Sequence, residues 1–328
     1  MRIAAIDIGT VTARLAVVEQ LGAEPPQLLV KLSNICNMGE GVAKTSKLDP
    51  AAIDRVRACV EDYVAQARNY KAETIACTLT SAARDASNSD ELLDALKQAG
   101  VAPTVIPGTL EGRLALLGVA QDFPDQEIAV IDSGGGSTEF SKGCLDTHNH
   151  ELSVADVISV QVGARRLTEL FLSEEAPDPE AISRARDFCD QAFRGAVDTL
   201  RKYLPRAQVP VLVGGSATSL VAMREALDPY DSRRVHFSTL TRRDIEKQIK
   251  RLAGMTVAER AQIKGLQAKR APVILGGSLA ISEALSCGGF ESARVSERDL
   301  LWGLSLVCLA EAQGKPGPLK WAPTLQSL

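Results

Sequence analysis

The chain has 328 residues, which is long enough for two domains of ordinary size. Apolar residues make up 45% of it, charged residues 24%, and the formal net charge is −4, a composition typical of water-soluble globular proteins. No apolar run approaches the roughly 20 residues that span a bilayer, and the start has no secretory leader pattern. These features exclude a membrane protein and a strongly basic nucleic-acid binder. They predict a cytoplasmic protein with neither membrane nor nucleic acid as partner.

The seven cysteines are scattered, odd in number and contain no C-x-x-C pair. This pattern predicts reduced, mostly buried thiols and argues against a disulfide framework. His148 and His150 have H-x-H spacing, but without further ligands nearby a solvated loop is the better interpretation.

The N-terminal segment "MRIAAIDIGTVTARLAVVE" predicts a β-hairpin with a polar turn. Apolar runs flank a turn that carries one carboxylate, one glycine and two hydroxyls, namely Asp7, Gly9, Thr10 and Thr12. Glycine allows close approach to the backbone, and hydroxyls can donate hydrogen bonds to an anion. The turn is therefore a candidate phosphate loop.

Helices and strands alternate through the next hundred residues, which indicates an α/β fold. Asp49 followed by Pro50 is a helix start, with an N-cap and a proline in the first turn. A strand, a loop carrying Thr80, Ser81 and Arg84, and a further helix come next. Another helix is predicted to begin near Leu110.

The segment "VIDSGGGSTEF" repeats the layout of the first hairpin, with Asp132 in the place of Asp7. Such a repeat indicates an internal duplication. Consecutive glycines can turn several N–H groups toward one anion, hydroxyls can add donors, and carboxylates can hold a Mg²⁺ that neutralises phosphate. The residues concerned are Asp132, Gly134, Gly135, Gly136, Ser137, Thr138 and Glu139.

A third strand, glycine and hydroxyl element follows a long amphipathic helix predicted over Ala181–Leu204. In "VPVLVGGSATSLVAM", Gly215 and Ser216 open a helix, and a helix N-terminus favours anions. A fourth element at Gly276–Gly277 is equally well explained by the packing of a helix onto a strand. The tail, residues 316–328, is predicted to be poorly ordered or lightly docked.

Nine basic residues occur between Arg242 and Arg270, against three acidic ones. Such a run is usually a solvated helical face. The alternative is a groove that attracts a long polyanion.

The chain resembles the exopolyphosphatase and guanosine pentaphosphate phosphohydrolase family, from Ile3 to about Leu304. That family belongs to the superfamily of actin-like ATPases, sugar kinases and heat-shock chaperones. Seven blocks carry the resemblance, in order: "AAIDIGTVTARL", "TSAARDA", "VIPGTLEGRLALLG", "VIDSGGGSTEF", "VGARRLTELF", "VGGSATSL" and "VSERDLLWGL". The chain looks like the short form of the family, without an additional C-terminal helical domain.

The resemblance implies an α/β fold of two duplicated ribonuclease H-like domains with a cleft between them. The first would cover residues 1–125 and be closed by a C-terminal helix at about 305–315. The second would cover residues 126–304, and residues 316–328 would form the tail.

The resemblance also implies Mg²⁺-dependent release of terminal orthophosphate from linear polyphosphate, or of the 5′ γ-phosphate from guanosine pentaphosphate. Glu111 falls on the family's catalytic carboxylate, and Arg84 on its arginine for the terminal phosphate. Asp132 falls on the metal position, with Asp7 and Glu139 as further carboxylates. The phosphate-binding positions fall on Gly9, Thr10, Thr12, Gly134, Gly135, Gly136, Ser137, Thr138, Gly215 and Ser216. A homodimer is left open.

Three positions depart from the family pattern. Val11 stands where the first loop ordinarily has an asparagine, Asn37 stands where a basic residue is usual, and Gly112 replaces an alanine. Turnover and substrate preference therefore need direct measurement. The alternatives are a small-molecule kinase of the same superfamily and a regulator that binds phosphate chains without hydrolysing them.

Overall fold

The computed structural model describes residues 1–172, 176–201 and 210–328. These residues divide into two compact units. The first consists of Met1–Gln126, Cys144–Ser153 and Arg298–Leu328, and the second of Glu127–Gly143 and Val154–Glu297. Each unit is built around its own sheet and its own apolar core.

The sheet of the first unit has six strands, five of which follow the order β3-β2-β1-β4-β5, while the sixth is added by the C-terminal tail. These five strands are β1 (Arg2–Ile8), β2 (Thr12–Glu19), β3 (Gln27–Ile35), β4 (Thr74–Leu79) and β5 (Pro103–Val105). The first three form an antiparallel meander, whereas β4 is parallel to β1 and β5 to β4. After its first residue β1 is buried throughout, because it lies at the centre of the sheet with apolar side chains on both faces.

Helices of the first unit connect and cover these strands. They are α1 (Val42–Thr45), α2 (Pro50–Asn69), α3 (Ser81–Asp85), α4 (Ser89–Gln98), α5 (Gly108–Ala120) and, after the second unit, α13 (Leu300–Ala312). The predicted start of α2 is confirmed, because the Asp49 side chain accepts hydrogen bonds from the N–H groups of Ala51 and Ala52. Helix α5 begins at Gly108, slightly before the predicted position near Leu110.

Two glycines allow α5 and α13 to pack with their backbones in contact. A Cβ atom on Gly118 would overlap the Asp299 carbonyl oxygen, and one on Gly303 would overlap the Leu114 carbonyl oxygen. This close approach fixes Asp299, the N-cap of α13, next to the strands of the first unit.

Substituting Gly303 with alanine is expected to lower the free energy of unfolding by about 1–3 kcal/mol, because the added methyl group has no space. The matched control is Gly195→Ala, in a helix position where a Cβ meets nothing within 4 Å. That control is expected to be neutral or to stabilise by up to about 1 kcal/mol. Chemical denaturation of both variants tests this, and equal stabilities would contradict the packing described.

The C-terminal tail docks on the first unit and adds a short strand. This strand, β12 (Gln326–Ser327), pairs antiparallel with Thr74 and Ile75 of β4. The Leu328 N–H donates to the Glu73 carbonyl at 3.2 Å. The tail is thus held by sheet pairing, which its proline-rich sequence did not indicate.

The sheet of the second unit has the order β10-β11-β9-β6-β7-β8. Its strands are β6 (Glu127–Ser133), β7 (Thr138–Asp146), β8 (Glu151–Val160), β9 (Val211–Val213), β10 (Thr239–Thr241) and β11 (Ser292–Val295). Strand β9 is parallel to β6, and β11 is parallel to β9.

The second unit also contains helices α6 (Ala164–Phe171), α7 (Pro179–Arg201), α8 (Gly215–Arg224), α9 (Ser232–Val235), α10 (Arg242–Ala253), α11 (Val257–Arg260) and α12 (Ile274–Gly288). The predicted long helix is present as α7, which begins two residues earlier than expected. Its predicted end, residues 202–204, lies outside the described part of the chain.

The two units repeat one topology, which confirms the duplicated ribonuclease H-like architecture. In each, an antiparallel hairpin is followed by a strand parallel to its first member. The same hydrogen bond closes both hairpins: Gly9 N–H to the Thr12 carbonyl at 2.9 Å, and Gly134 N–H to the Ser137 carbonyl at 3.0 Å. The duplication read from the two Asp-Gly-hydroxyl segments is therefore present in the backbone.

Within the described ranges, no helix combines the length and the apolar character that crossing a membrane requires. All seven cysteines lie within the described ranges as free thiols, and four of them are buried.

Candidate active site

The first hairpin loop is held by backbone hydrogen bonds from two neighbouring segments. Gly39 N–H donates to the Thr10 carbonyl at 2.8 Å, and Thr80 N–H donates to the Ile8 carbonyl at 3.2 Å. A Cβ atom on Gly39 would overlap the Thr10 side chain. The side chain of Val11, which replaces the family's asparagine, is buried. The loop therefore has a fixed backbone, although it departs from the family pattern.

Asp7 lies in a chain of charges that the sequence did not reveal. Arg14 Nη2 donates to Asp7 Oδ2 at 2.6 Å, and Arg14 Nη1 pairs with Asp299 Oδ2. Asp7 Oδ1 is buried and has no hydrogen-bond partner among the described residues. Burial raises the pKa of Asp7, while Arg14 opposes that rise. Asp7 thus has one oxygen held by arginine and one oxygen available for a cation or water.

Asp299 stays ionised in this chain of charges. Burial acts to raise its pKa, but the charge of Arg14 and the Leu301 N–H, together with Lys31, lower it overall. Leu301 N–H donates to Asp299 Oδ1 at 3.0 Å, so the carboxylate also caps α13. Arg14 is therefore held between two carboxylates, and its guanidinium orients Asp7.

Glu111 and Arg84 form a buried ion pair. Arg84 Nη1 donates to Glu111 Oε2 at 2.7 Å and to the Ile106 carbonyl at 2.9 Å. Glu111 is 8% exposed and lies in the first turn of α5. Only 17% of the Arg84 side chain is exposed, so the pair lies largely out of solvent. The structure thus brings together two residues that are 27 positions apart in the sequence.

The environment of Glu111 raises its pKa to about 7. Burial is the largest cause, the nearby charge of Asp7 adds to it, and the charge and hydrogen bond of Arg84 oppose it together with a hydrogen bond from Thr80. Burial prevails because removal from water disfavours the charged carboxylate more than a single arginine favours it. A carboxylate with a pKa near neutrality can accept a proton from water and release it again.

The glycine loop of the second unit is fastened to α6 by its carbonyl groups. The Gly134 carbonyl accepts from Ala164 N–H at 3.0 Å, and the Gly135 carbonyl from Arg165 N–H at 2.7 Å. Arg166 Nε donates to the Gly136 carbonyl at 2.8 Å. In a planar trans peptide the N–H points away from the carbonyl. The N–H groups of Gly135, Gly136 and Ser137 are consequently turned away from α6, as an anion-binding loop requires.

The hydroxyl and carboxylate residues of this loop have different surroundings. Thr138 is fully buried and donates its hydroxyl proton to the Val162 carbonyl at 2.7 Å, so in this arrangement the hydroxyl serves the fold. Glu139 is also buried, and its Oε1 accepts from Ser159 Oγ at 2.7 Å. Asp132 lies near the end of β6. A Cβ atom added to Gly214 would be 3.3 Å from its Oδ1, so the Asp132 carboxylate lies beside the third loop.

The third loop contains a glycine that the backbone requires and an arginine that the sequence analysis missed. Gly214 has φ of 104°, a conformation that favours glycine. A Cβ on Gly215 would collide with the guanidinium of Arg270, which is 8% exposed. Ser216 is buried against Gly277, and Gly276 packs against Ala164 of α6. Both glycines lie inside α12, so the contact is of helix on helix and the prediction of a strand before this pair was wrong. No local sequence signal marks Arg270, because its contact with Gly215 exists only in the folded unit.

The basic run at 242–270 is not one continuous surface. Arg260 is buried and donates to the Leu252 carbonyl, Arg270 lies against Gly215, and Arg242 pairs with Glu291. The remaining basic side chains are exposed: Arg243, Lys247, Lys250, Arg251, Lys264 and Lys269.

Comparisons with known proteins agree with this geometry. The model of the Ppx/GppA phosphatase family matches residues 16–303. Exopolyphosphatase 2 of Mycobacterium tuberculosis is 32% identical over 320 residues, covering 93% of this chain and 98% of the relative.

Solved structures show the same similarity. The crystal structure of the Aquifex aeolicus Ppx/GppA family member is 29% identical, covers 96% of this chain and 98% of its own, and superposes with a TM-score of 0.73. An exopolyphosphatase-like protein superposes with a TM-score of 0.84 at 27% identity, covering 93% of this chain and 98% of its own. The repeated hairpins, the buried Arg84–Glu111 pair and these similarities lead to one conclusion: the chain belongs to the Ppx/GppA phosphatase family.

Proposed function

We propose that this protein is a Mg²⁺-dependent exopolyphosphatase, which releases terminal orthophosphate from linear polyphosphate. The observation that carries the proposal is the buried Arg84–Glu111 pair, in which an acid of pKa about 7 lies beside a guanidinium. Hydrolysis of a phosphoanhydride needs an oriented water, a proton acceptor and compensation of charge. The curated relative in Mycobacterium tuberculosis bears the name exopolyphosphatase, which supports this choice of substrate.

Glu111 accepts the proton of the attacking water in this proposal. Arg84 presents a planar guanidinium with five N–H donors, a shape that suits the oxygens of a terminal phosphate. The N–H groups of Gly135 and Gly136, which point away from α6, bind further phosphate oxygens. Arg14, fixed by Asp299, orients Asp7.

Each hairpin carries a carboxylate of the kind that binds magnesium. Within the described residues no three His, Cys, Asp or Glu side chains form a cluster that would enclose a metal. Mg²⁺ is ordinarily bound through one or two carboxylates, several waters and substrate phosphates. The unpartnered, buried Oδ1 of Asp7 meets that requirement. Asp132 would hold the ion, with Asp7 or Glu139 as further ligands, and bound Mg²⁺ would neutralise phosphate charge.

Guanosine pentaphosphate is the second candidate substrate. The observation that favours it is the buried guanidinium of Arg270 against Gly215 at the start of α8. A planar guanidinium stacks favourably on an aromatic ring such as a purine. In that case the protein would remove the 5′ γ-phosphate of the nucleotide.

Orthophosphate release from three substrates tests the proposal. Purified protein with Mg²⁺ is given long-chain polyphosphate, triphosphate and guanosine pentaphosphate side by side. Fastest release from polyphosphate is the expected result, and fastest release from the nucleotide would replace the first candidate by the second. Binding without release would establish a regulator, and ADP formation from ATP with a sugar acceptor would establish a kinase.

The rate of release is expected to rise with pH through the neutral range, with an apparent pKa near that of Glu111, about 7. The reason is that a general base works only in its ionised form. Arg84 lowers the pKa of Glu111, so Arg84→Gln is expected to move this limb of the profile to higher pH. A kcat that is independent of pH from acidic to neutral solution would contradict the assignment of Glu111.

The exposed basic residues of α10 are expected to favour long chains. Replacing Lys247, Lys250 and Arg251 with glutamine should raise KM for long polyphosphate by roughly tenfold at low salt and leave KM for triphosphate unchanged, since distant charges attract an extended polyanion. The control removes the same charge from exposed Arg68, Lys71 and Lys97 of the first unit. Steady-state kinetics at several salt concentrations decide the matter, and equal effects of the two triple variants would remove α10 from the binding path.

A further inference from the structure

Two cysteines of the first unit lie in contact beside the first hairpin loop. Cys36 directly follows β3 and is buried, whereas Cys59 lies in α2 and is half-buried. The two thiols are hydrogen-bonded to each other. Asn34 Nδ2 also contacts Cys59 Sγ at 3.6 Å. The sequence separates these cysteines by more than twenty residues, which is why their spacing gave no signal.

Cys59 is the more reactive member of this pair. The hydrogen bond from Cys36 lowers the pKa of the Cys59 thiol to about 7, with smaller contributions from Tyr63 and Asn34, although burial and the charge of Asp62 oppose them. A thiolate is the nucleophilic form of cysteine, so a substantial fraction of Cys59 is reactive at neutral pH. Burial has the opposite effect elsewhere: it raises the pKa of Cys77, Cys189 and Cys308 and that of Cys287 to about 11.

The backbone of Cys36 supports the candidate phosphate loop. Cys36 N–H donates to the Val11 carbonyl at 3.0 Å, and Asn37 N–H donates to the same carbonyl at 2.9 Å. Arg55 of α2 donates through Nε to the Cys36 carbonyl at 3.0 Å. Any change in the distance between Cys36 and α2 therefore acts on the residues next to Thr10.

We propose that Cys36 and Cys59 form a reversible, peroxide-sensitive dithiol that controls the position of the first hairpin loop. Contact between the sulfurs is the geometric requirement for such a pair. A disulfide shortens the separation of the sulfurs to about 2.0 Å, and this shortening draws the end of β3 toward α2. The loop that carries Thr10 and Val11 shifts with it.

The oxidant in this proposal is a hydroperoxide. The Cys59 thiolate attacks one oxygen of hydrogen peroxide, the O–O bond breaks, and Cys59 becomes a sulfenic acid, while the second oxygen leaves as hydroxide and is protonated to water. The Cys36 sulfur then attacks the sulfenic sulfur, the S–OH bond breaks, and a second water leaves. In balance, two thiols and one hydrogen peroxide give one disulfide and two waters. A dithiol reductant reverses the change by thiol–disulfide exchange.

Peptide mapping after oxidation tests the pair. The purified full chain is treated with hydrogen peroxide, remaining thiols are alkylated, and an unreduced digest is examined by mass spectrometry. A peptide linked through Cys36 and Cys59, lost after dithiothreitol, is the expected result. In Cys36→Ser the linked peptide disappears and Cys59 is trapped as a sulfenic acid by dimedone, whereas the control Cys287→Ser keeps the link. Oxidation of the wild type to a sulfinic acid, or a link to any other cysteine, overturns the proposal.

The effect on the loop is measured separately, by orthophosphate release before and after oxidation. The release assay rests on the proposed function, whereas the peptide mapping does not. A failure of the proposed function would therefore leave the mapping result valid. We expect a fall of roughly tenfold that dithiothreitol restores, because displacement of a binding loop by about 1 Å can cost up to 10²-fold in rate. Cys36→Ser should be insensitive to the oxidant. Full activity in protein shown to be completely cross-linked would refute control of the loop.

Discussion

Glu111→Gln is expected to lower kcat by roughly 10²–10⁴-fold, the usual contribution of a general base. Glutamine has the size of glutamate and keeps an oxygen that can accept the hydrogen bond from Arg84 Nη1, but it cannot take a proton from water. Substrate affinity should be unchanged or slightly higher, because one negative charge near a polyanion is removed. Steady-state orthophosphate release and equilibrium binding of polyphosphate measure the two effects independently.

The same variant distinguishes catalysis from a structural role. The folded-state pKa of Glu111, about 7, is above the ordinary value of 4.5. Protonated Glu111 therefore favours the folded state below the ordinary pKa, and that contribution is lost as pH rises through about 7. Glu111→Gln should remove this dependence and melt no lower than the wild type in alkaline solution.

The control for this variant is Glu61→Gln, which removes an exposed carboxylate of the same unit. It should retain wild-type kcat and stability within about 0.5 kcal/mol. A Glu111→Gln variant with wild-type kcat and a lower melting temperature would show that Glu111 serves only the start of α5.

Asp132→Asn is expected to reduce Mg²⁺-dependent release by roughly 10²-fold or more, because an interaction that positions charge against the reacting phosphate is lost. The residue remains paired with Val213 through the backbone of β6 and β9. Folding should therefore be retained, and the Mg²⁺ concentration for half-maximal activity should rise. Metal titrations of activity, together with circular dichroism, measure both.

Asp187→Asn, an exposed carboxylate on α7, is the matched control. It should leave the Mg²⁺ dependence unchanged. Wild-type turnover of Asp132→Asn at limiting Mg²⁺ would exclude Asp132 as a metal residue.

Local sequence signals predicted the repeated hairpins well. Apolar runs that end in an acidic residue, followed by glycine and hydroxyl residues, specify a strand and a tight turn through side-chain period and backbone freedom. The start of α2 was equally readable, because Asp49 and Pro50 act on adjacent N–H groups. These features depend on neighbours in the chain, and the chain order displays them directly.

Contacts between distant segments account for what the sequence did not reveal. Asp299 reaches Arg14 across 285 positions, and Arg270 reaches Gly215 only when the second unit has folded. The resemblance supplied roles for Glu111 and Arg84. Their ion pair, however, depends on where β4 ends and where α5 begins in the folded chain. Thr138 shows the converse, since its hydroxyl looks like a phosphate ligand in the sequence and donates to Val162 in the fold.

Product analysis of a long polyphosphate is the most direct test of the proposed activity. Chains of uniform length are incubated with purified protein and Mg²⁺, and the products are resolved by length at early times. Hydrolysis from the end predicts orthophosphate as the early product, and it predicts loss of this product in Glu111→Gln. Fragments of intermediate length, or no release of orthophosphate from polyphosphate, would contradict the account.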